Sequence, residues 1–208
     1  MNNGHSPAWT LSDIVKATGG ELLSGDPTKR FEKIGIDSRD ISPRDVFVAI
    51  VGDVHDGHTF TNDVVQQGVS GLIVNREKTA QLPITKWQDQ YIACVAVSDT
   101  TQALGDLAAF HRLRTHIPVT AITGSNGKTT TRQMTAQVVA QKYNTLATIG
   151  NYNNLIGAPL TLLRLTREYE QAVVELGTNS PGEIARLAQI CAPDIGVVTN
   201  VGPAHLEG

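Results

Sequence analysis

The chain of 208 residues carries 17 Lys and Arg against 20 Asp and Glu, a net charge of −3, and is 40% hydrophobic. That balance fits one or two soluble globular domains with real cores. It excludes the basic footprint of a nucleic-acid binder, and no apolar run is long enough to span a bilayer.

The first residues, MNNGHSPAWT, lack the basic-then-apolar pattern of a signal peptide, so the expected compartment is the cytoplasm. The chain is expected to act as a monomer. TLSDIVKATGG (residues 10–20) predicts a short helix, with Thr10 as its cap, Asp13 at the capping-box position and Gly19-Gly20 as its stop. ELLSG, FEKIGIDS and DVFVAI read as short β-rich pieces, TFTNDVVQQG as helical, and GLIVN and IACVAV as strands. A helix is predicted over about 99–114, capped by Asp99, with Leu104, Leu107, Ala108 and His111 on one face.

The character changes at RLRTHIP, residues 112–118. Beyond it the predicted order is strand (PVTAIT), glycine loop, helix (about 128–142), strand (TLATI), Asn-rich loop and helix (PLTLLRL). Then follow strand (QAVVELG), a helix opened by Pro181, Gly182 and Glu183, and strand (DIGVVTNV). The fold class is therefore α/β with a mainly parallel sheet built from βαβ units. Two domains are expected, residues 1–114 and 115–208, the second incomplete because only three or four strands follow residue 117. Cys94 and Cys191 lie in apolar stretches with no C-x-x-C spacing and read as buried reduced thiols.

TGSNGKTT (residues 123–130) joins strand PVTAIT to the next helix, in which Met134 and Val138 form an apolar pair one turn apart. A phosphate loop normally has G-x-x-x-x-G-K-[ST]; here the position of the first glycine is Ile122, and the nearest glycine is Gly124. Glycines let several N–H groups converge, and the helix N-terminus adds partial positive charge. Gly124, Ser125, Asn126, Gly127, Lys128, Thr129 and Thr130 are the candidate nucleotide cradle. In it, Lys128 would reach the β- and γ-phosphates of ATP and Thr129 would offer its hydroxyl to Mg²⁺.

The shortened T-G-x-N-G-K-T form resembles the loop of the Mur ligases, ATP-dependent amide ligases of peptidoglycan precursor synthesis, and of the related folylpolyglutamate synthetases. GNYNNLIGAPLTLL (150–163), VVELGTNSPGEI (173–184) and VTNVGPAHLEG (198–208) follow in the order that family has. The E-x-G-x-N-x-P-G-E-I form resembles the branch that adds D-alanyl-D-alanine to a UDP-N-acetylmuramoyl-tripeptide. IDSRDISPRDVFVAIVGDVHDGHTF (36–60) resembles the uridine-nucleotide domain of the same branch, with Arg44 where a P-G-D turn usually has glycine.

The resemblance implies a small N-terminal α/β uridine-nucleotide domain followed by part of a P-loop-type ATPase domain. It makes Glu175, at the end of strand QAVVE, a Mg²⁺ ligand beside Thr129, and has His205 help hold a second Mg²⁺; taken without it, Glu175 could be a strand-end acid paired with a surface base and His205 a solvated or hydrogen-bonded histidine near a loop. Lys128, Glu175 and His205 are the expected catalytic residues. Asn153 and Asn154 would bond phosphate or the reacting carboxylate, or else serve turn chemistry. Ser38 and Arg39 would lie near the uridine diphosphate, or else end a strand in a simple turn; the Asp56-Gly57-His58 loop is a further candidate there. His55 and His58 lack an evident third ligand, so zinc is not expected. The implied chemistry is phosphorylation of a substrate carboxylate by ATP, then attack by the amine of D-alanyl-D-alanine. The alternatives are another Mur-type ligase, a P-loop kinase, or a nucleotide-binding piece without turnover of its own; these 208 residues alone are expected to be inactive.

Overall fold

The computed structural model describes residues 8–52 and 55–202. The chain divides into two compact units, Ala8–Leu107 and residues 108–208.

The first unit opens with β1 (Trp9–Thr10) and α1 (Leu11–Thr18). The predicted capping box is present: Thr10 Oγ1 accepts from Asp13 N at 3.1 Å, and Asp13 Oδ2 accepts from Thr10 N at 3.0 Å. Gly19, at φ 62°, ends the helix in the left-handed region. Then come β2 (Glu21–Ser24), β3 (Arg30–Phe31), β4 (Ile34–Gly35), β5 (Val46–Val48), α2 (Thr61–Gln66), β6 (Gly71–Asn75), α3 (Ile84–Asp89) and β7 (Ala93–Val97). The sheet order is β2-β7-β6-β5-β4, parallel except for β2, and β1 pairs with β3. β6 and β7, buried almost throughout, are the continuous apolar runs that a covered parallel sheet requires. Helix α3 and the 3₁₀ turn Arg76–Gln81 are not foreseen by the sequence: α3 has six residues, and its two large apolar side chains, Ile84 and Trp87, make a pattern too short to read, yet Trp87 is buried in the core with Phe47, Leu72 and Cys94 and Ile84 packs against it.

Arg44 needs no left-handed backbone: among the described residues the positive-φ positions other than glycine are Tyr91, His116 and Ala192. Its carbonyl accepts from Glu32 N at 2.9 Å, and its guanidinium pairs with Glu32 Oε1.

Helix α4 (Thr100–Thr115) begins as predicted, with Asp99 Oδ1 accepting from the amides of Thr101 and Gln102 at 2.7 and 2.9 Å. Leu104, Leu107, Ala108 and His111 are all fully buried. The division between the units falls inside this helix.

The second unit runs β8 (Val119–Thr123), α5 (Lys128–Val139), β9 (Thr145–Ala147), α6 (Gly157–Leu162), β10 (Gln171–Glu175), α7 (Glu183–Cys191) and β11 (Ile195–Val198). Its four strands form a wholly parallel sheet in the order β11-β8-β10-β9. Val119, Leu146, Leu162, Val174 and Leu187 share one core. Met134 and Val138 do mark a helix, but both are exposed; α5 turns Arg132, Thr135, Ala136 and Val139 inward instead, the i, i+3, i+4, i+7 face. Both cysteines are free and buried, and loss of solvent pushes each thiol up to about 12. Among the described residues no helix is long and apolar enough to cross a membrane.

Candidate functional site

β8 lies in the middle of its sheet, with Glu175 of β10 opposite Ile122 and Val198 of β11 opposite Thr123. This register brings three carboxyl-terminal strand ends to one edge, the usual ligand crevice of an open α/β sheet. The glycine loop leaves that edge.

Two backbone conformations shape the loop. Gly124 has φ 138°, and a Cβ there would stand 2.1 Å from Thr199 Oγ1, so no larger residue fits. Gly127 has φ 77° and starts α5 from the left-handed region. The loop is tied down by the segment after β11. Ser125 N donates to Asn200 O at 3.1 Å and Asn126 N to Asn200 Oδ1 at 2.9 Å. Thr199 Oγ1 donates to Asn126 O at 2.6 Å, and Ser125 Oγ exchanges hydrogen bonds with the backbone of Gly202. The Ser125 and Asn126 amides therefore serve the loop itself. The amides of Gly127, Lys128, Thr129 and Thr130 meet no acceptor among the described residues. They form a helix N-terminus with open donors, which is what an anion needs.

Lys128 Nζ folds back onto the carbonyls of Gly124 and Ser125, at 2.6 and 3.2 Å. Thr129 Oγ1 donates to Glu175 Oε1 at 3.2 Å, and Asn153 Nδ2 donates to the same oxygen at 2.8 Å. Glu175 is 1% exposed; its amide donates to Thr148 Oγ1 at 2.9 Å, and its Oε2 has no hydrogen-bond partner. An orphaned carboxylate oxygen beside a threonine hydroxyl is a donor set suited to a hard divalent cation. The glycine of the E-x-G motif has a steric cause. A Cβ on Gly177 would lie 2.8 Å from Asn153 Cγ, so Gly177 leaves room for the amide that reaches Glu175.

The two neighbouring asparagines diverge. Asn153 faces Glu175, whereas Asn154 Oδ1 accepts from Ile156 N and Gly157 N at 3.1 and 2.8 Å and steadies the entry to α6. A cleft of about 520 Å³ opens beside the loop, lined among others by Lys128, Thr178, Pro181, Ile184, Val198 and Asn200. His205 lies outside the described residues. Asn200 and Arg132 are site residues that sequence reasoning missed; the first had a signal in the asparagine of VTNVG, the second had none.

In the other unit, Ser38 and Arg39 occupy the turn after β4. Arg39 donates from its amide and guanidinium to Asp37, and those bonds hold the Asp37 carboxyl down at about 2. His58 has both ring nitrogens engaged, Nδ1 with Asp56 Oδ1 at 2.6 Å and Nε2 with Asn75 N at 2.8 Å. The imidazole thus fastens its loop to the end of β6.

The chain matches two family profiles: "Mur ligase family, catalytic domain" over residues 30–112 and "Mur ligase middle domain" over residues 122–208. It is 42% identical over 199 residues to the UDP-N-acetylmuramoyl-tripeptide–D-alanyl-D-alanine ligase of Escherichia coli K12, a match spanning 96% of this chain and 41% of that protein. The crystal structure of MurF from Acinetobacter baumannii superposes with a TM-score of 0.84 at 38% identity, covering 96% of this chain and 42% of the other. The MurF ligase of Thermotoga maritima, solved in complex with ADP, superposes at 0.71 and 32% identity over 84% of this chain and 38% of its own. The chain thus spans about two fifths of the length of these relatives. Together with the short phosphate loop and the Glu175 cluster, these matches establish that the chain belongs to the Mur ligase family.

Proposed function

We propose that this chain carries the uridine-nucleotide and ATP-phosphate sites of an ATP-dependent amide ligase that adds D-alanyl-D-alanine to a UDP-N-acetylmuramoyl-tripeptide, working in the cytoplasm as a monomer. In this reading residues 1–114 bind the uridine nucleotide, with Ser38 and Arg39 near its diphosphate, and residues 115–208 bind ATP. The observation that carries it is the pairing of a loop with four open amides and, at its mouth, a buried Glu175 that accepts from Thr129 and Asn153.

The phosphates of ATP would be held by the open amides of residues 127–130 and by Lys128, released from its loop carbonyls. Thr129 and Glu175 would hold Mg²⁺, and His205 a second ion; bound Mg²⁺ offsets the repulsion between two anions meeting in line. A free carboxylate is a poor acyl donor, because its leaving group would be oxide. The tripeptide carboxylate therefore takes the γ-phosphoryl group and ADP leaves. The amine of D-alanyl-D-alanine then attacks the acyl phosphate carbonyl, inorganic phosphate departs, and the amine loses a proton. Asn153 keeps Glu175 oriented throughout.

The test is ADP release measured with each substrate omitted in turn, on the 208-residue chain and on the same chain fused to the portion of the Escherichia coli relative that it does not match. The chain alone is expected to bind uridine nucleotide weakly without turnover. The fusion is expected to release ADP only with the tripeptide nucleotide present, to form amide only with D-alanyl-D-alanine, and to lose both with Lys128→Ala. Full ADP release without the dipeptide, together with a stable phosphorylated product, would instead identify a kinase.

A further inference from the structure

Arg132 stands one helical turn beyond Thr129 on α5 and is 7% exposed, a degree of burial rare for a guanidinium. Its Nε lies 3.6 Å from Glu175 Oε2, and neither atom has a hydrogen-bond partner. Its Nη2 makes one long bond, 3.4 Å, to Gly150 O. Lys128 is turned to its own loop, so among the described residues Arg132 is the cation paired with Glu175. A buried carboxylate without a positive partner is strongly disfavoured. The position of Glu175 is fixed by other groups, Thr129, Asn153 and Thr148. Arg132 thus supplies charge without locking the oxygen it faces.

We propose that Arg132 is a positioning residue that serves Glu175 as a resident counter-charge, balancing the buried carboxylate across a 3.6 Å gap until a divalent cation takes Oε2. The inference rests on the reading of Glu175 as a metal ligand. Arginine and metal compete for one oxygen, so the pair remains loose and its removal favours the metal: like charges a few ångströms apart repel strongly in a poorly solvated site.

The test uses Mn²⁺ as probe, titrated into the 208-residue chain by electron paramagnetic resonance, with melting measured in EDTA and in MgCl₂. Arg132→Met is expected to melt lower in EDTA, to gain more from Mg²⁺ than the unmodified chain does, and to bind Mn²⁺ at least about tenfold tighter. Arg132→Lys, which keeps the charge, is expected to restore the weaker binding. Should Arg132→Met fail to fold, Arg132→Gln is measured in the same way. An equal loss of melting temperature in EDTA and Mg²⁺, with Mn²⁺ affinity unchanged, would mean a packing role only and overturn the proposal; so would weaker Mn²⁺ binding by the neutral variants. No Mn²⁺ binding by the unmodified chain would instead overturn the metal reading of Glu175 itself.

Discussion

Asn126 and Asn200 are joined by a hydrogen bond of 2.9 Å from the backbone amide of the first to the side-chain oxygen of the second. The bond fastens the tip of the phosphate loop to the segment that leaves the neighbouring strand. Asn200→Ala removes it but leaves the backbone bond from Ser125 N to Asn200 O intact. The expected loss is about 1 kcal/mol, roughly a fivefold weaker affinity for a non-hydrolysable ATP analogue in calorimetry. Unchanged affinity would show that the loop keeps its form without the clamp.

Gly177→Ala drives a methyl group into the Asn153 side chain. A destabilisation of about 1–3 kcal/mol is expected in urea unfolding, because the amide must leave Glu175 or the backbone must shift. In an Asn153→Ala background the same change is expected to cost much less, since the obstructing atoms are gone. Additive costs in the two backgrounds would place the strain elsewhere.

His111 gives the second unit an acid sensitivity. It is fully buried, and loss of solvent lowers its pKa despite the 2.8 Å bond between Nε2 and Leu165 O, with the charge of Arg114 acting in the same direction. The unfolded chain therefore takes up a proton that the folded one resists. The contribution to stability is whole above the ordinary histidine value near 6.5 and declines as pH falls from there through the folded value, by at most about 1.4 kcal/mol per pH unit. The urea midpoint is expected to drop between pH 7.5 and 5.5, and His111→Gln to flatten that drop.

Asp56 acts in a more acidic window. Burial alone would raise its pKa, but bonds from Lys78 and from the amide and ring of His58 outweigh it and hold the carboxyl at about 2, against an ordinary 3.8. Its contribution, about 2 kcal/mol, is present above pH 4 and disappears as pH falls through 2. Asp56→Asn is expected to lower stability at pH 7 and to make little difference at pH 2, followed by circular dichroism in urea.

What could be read from the sequence divides by distance along the chain. The capping box of Thr10 and Asp13, the Asp99 cap, the glycine loop and the strand-end position of Glu175 depend on neighbours a few residues apart, and local spacing carries that information. The Asn200 clamp joins residues 74 apart, and the Glu175–Thr129 bond joins residues 46 apart. Asn153 and Asn154 are the same residue type in adjacent positions, and only the folded chain assigns one to the carboxylate and the other to a helix start. The Met134–Val138 pair has a helical spacing but faces outward, because β9 and β10 accept the opposite face of α5. An isolated arginine in TTTRQ gives no sign that it will be buried.

The central position of β8 has a kinetic cost. Beyond the Lys128 bonds within it, the loop that follows is tied among the described residues by Thr199, Asn200 and Gly202, so it leaves the ribosome 74 residues ahead of its Asn200 clamp. At about 5–20 residues per second, that is a wait of roughly 4–15 s in which the loop has its glycines but not its restraints. The ordered loop would then arrive with the strand β11 rather than with the motif that announces it.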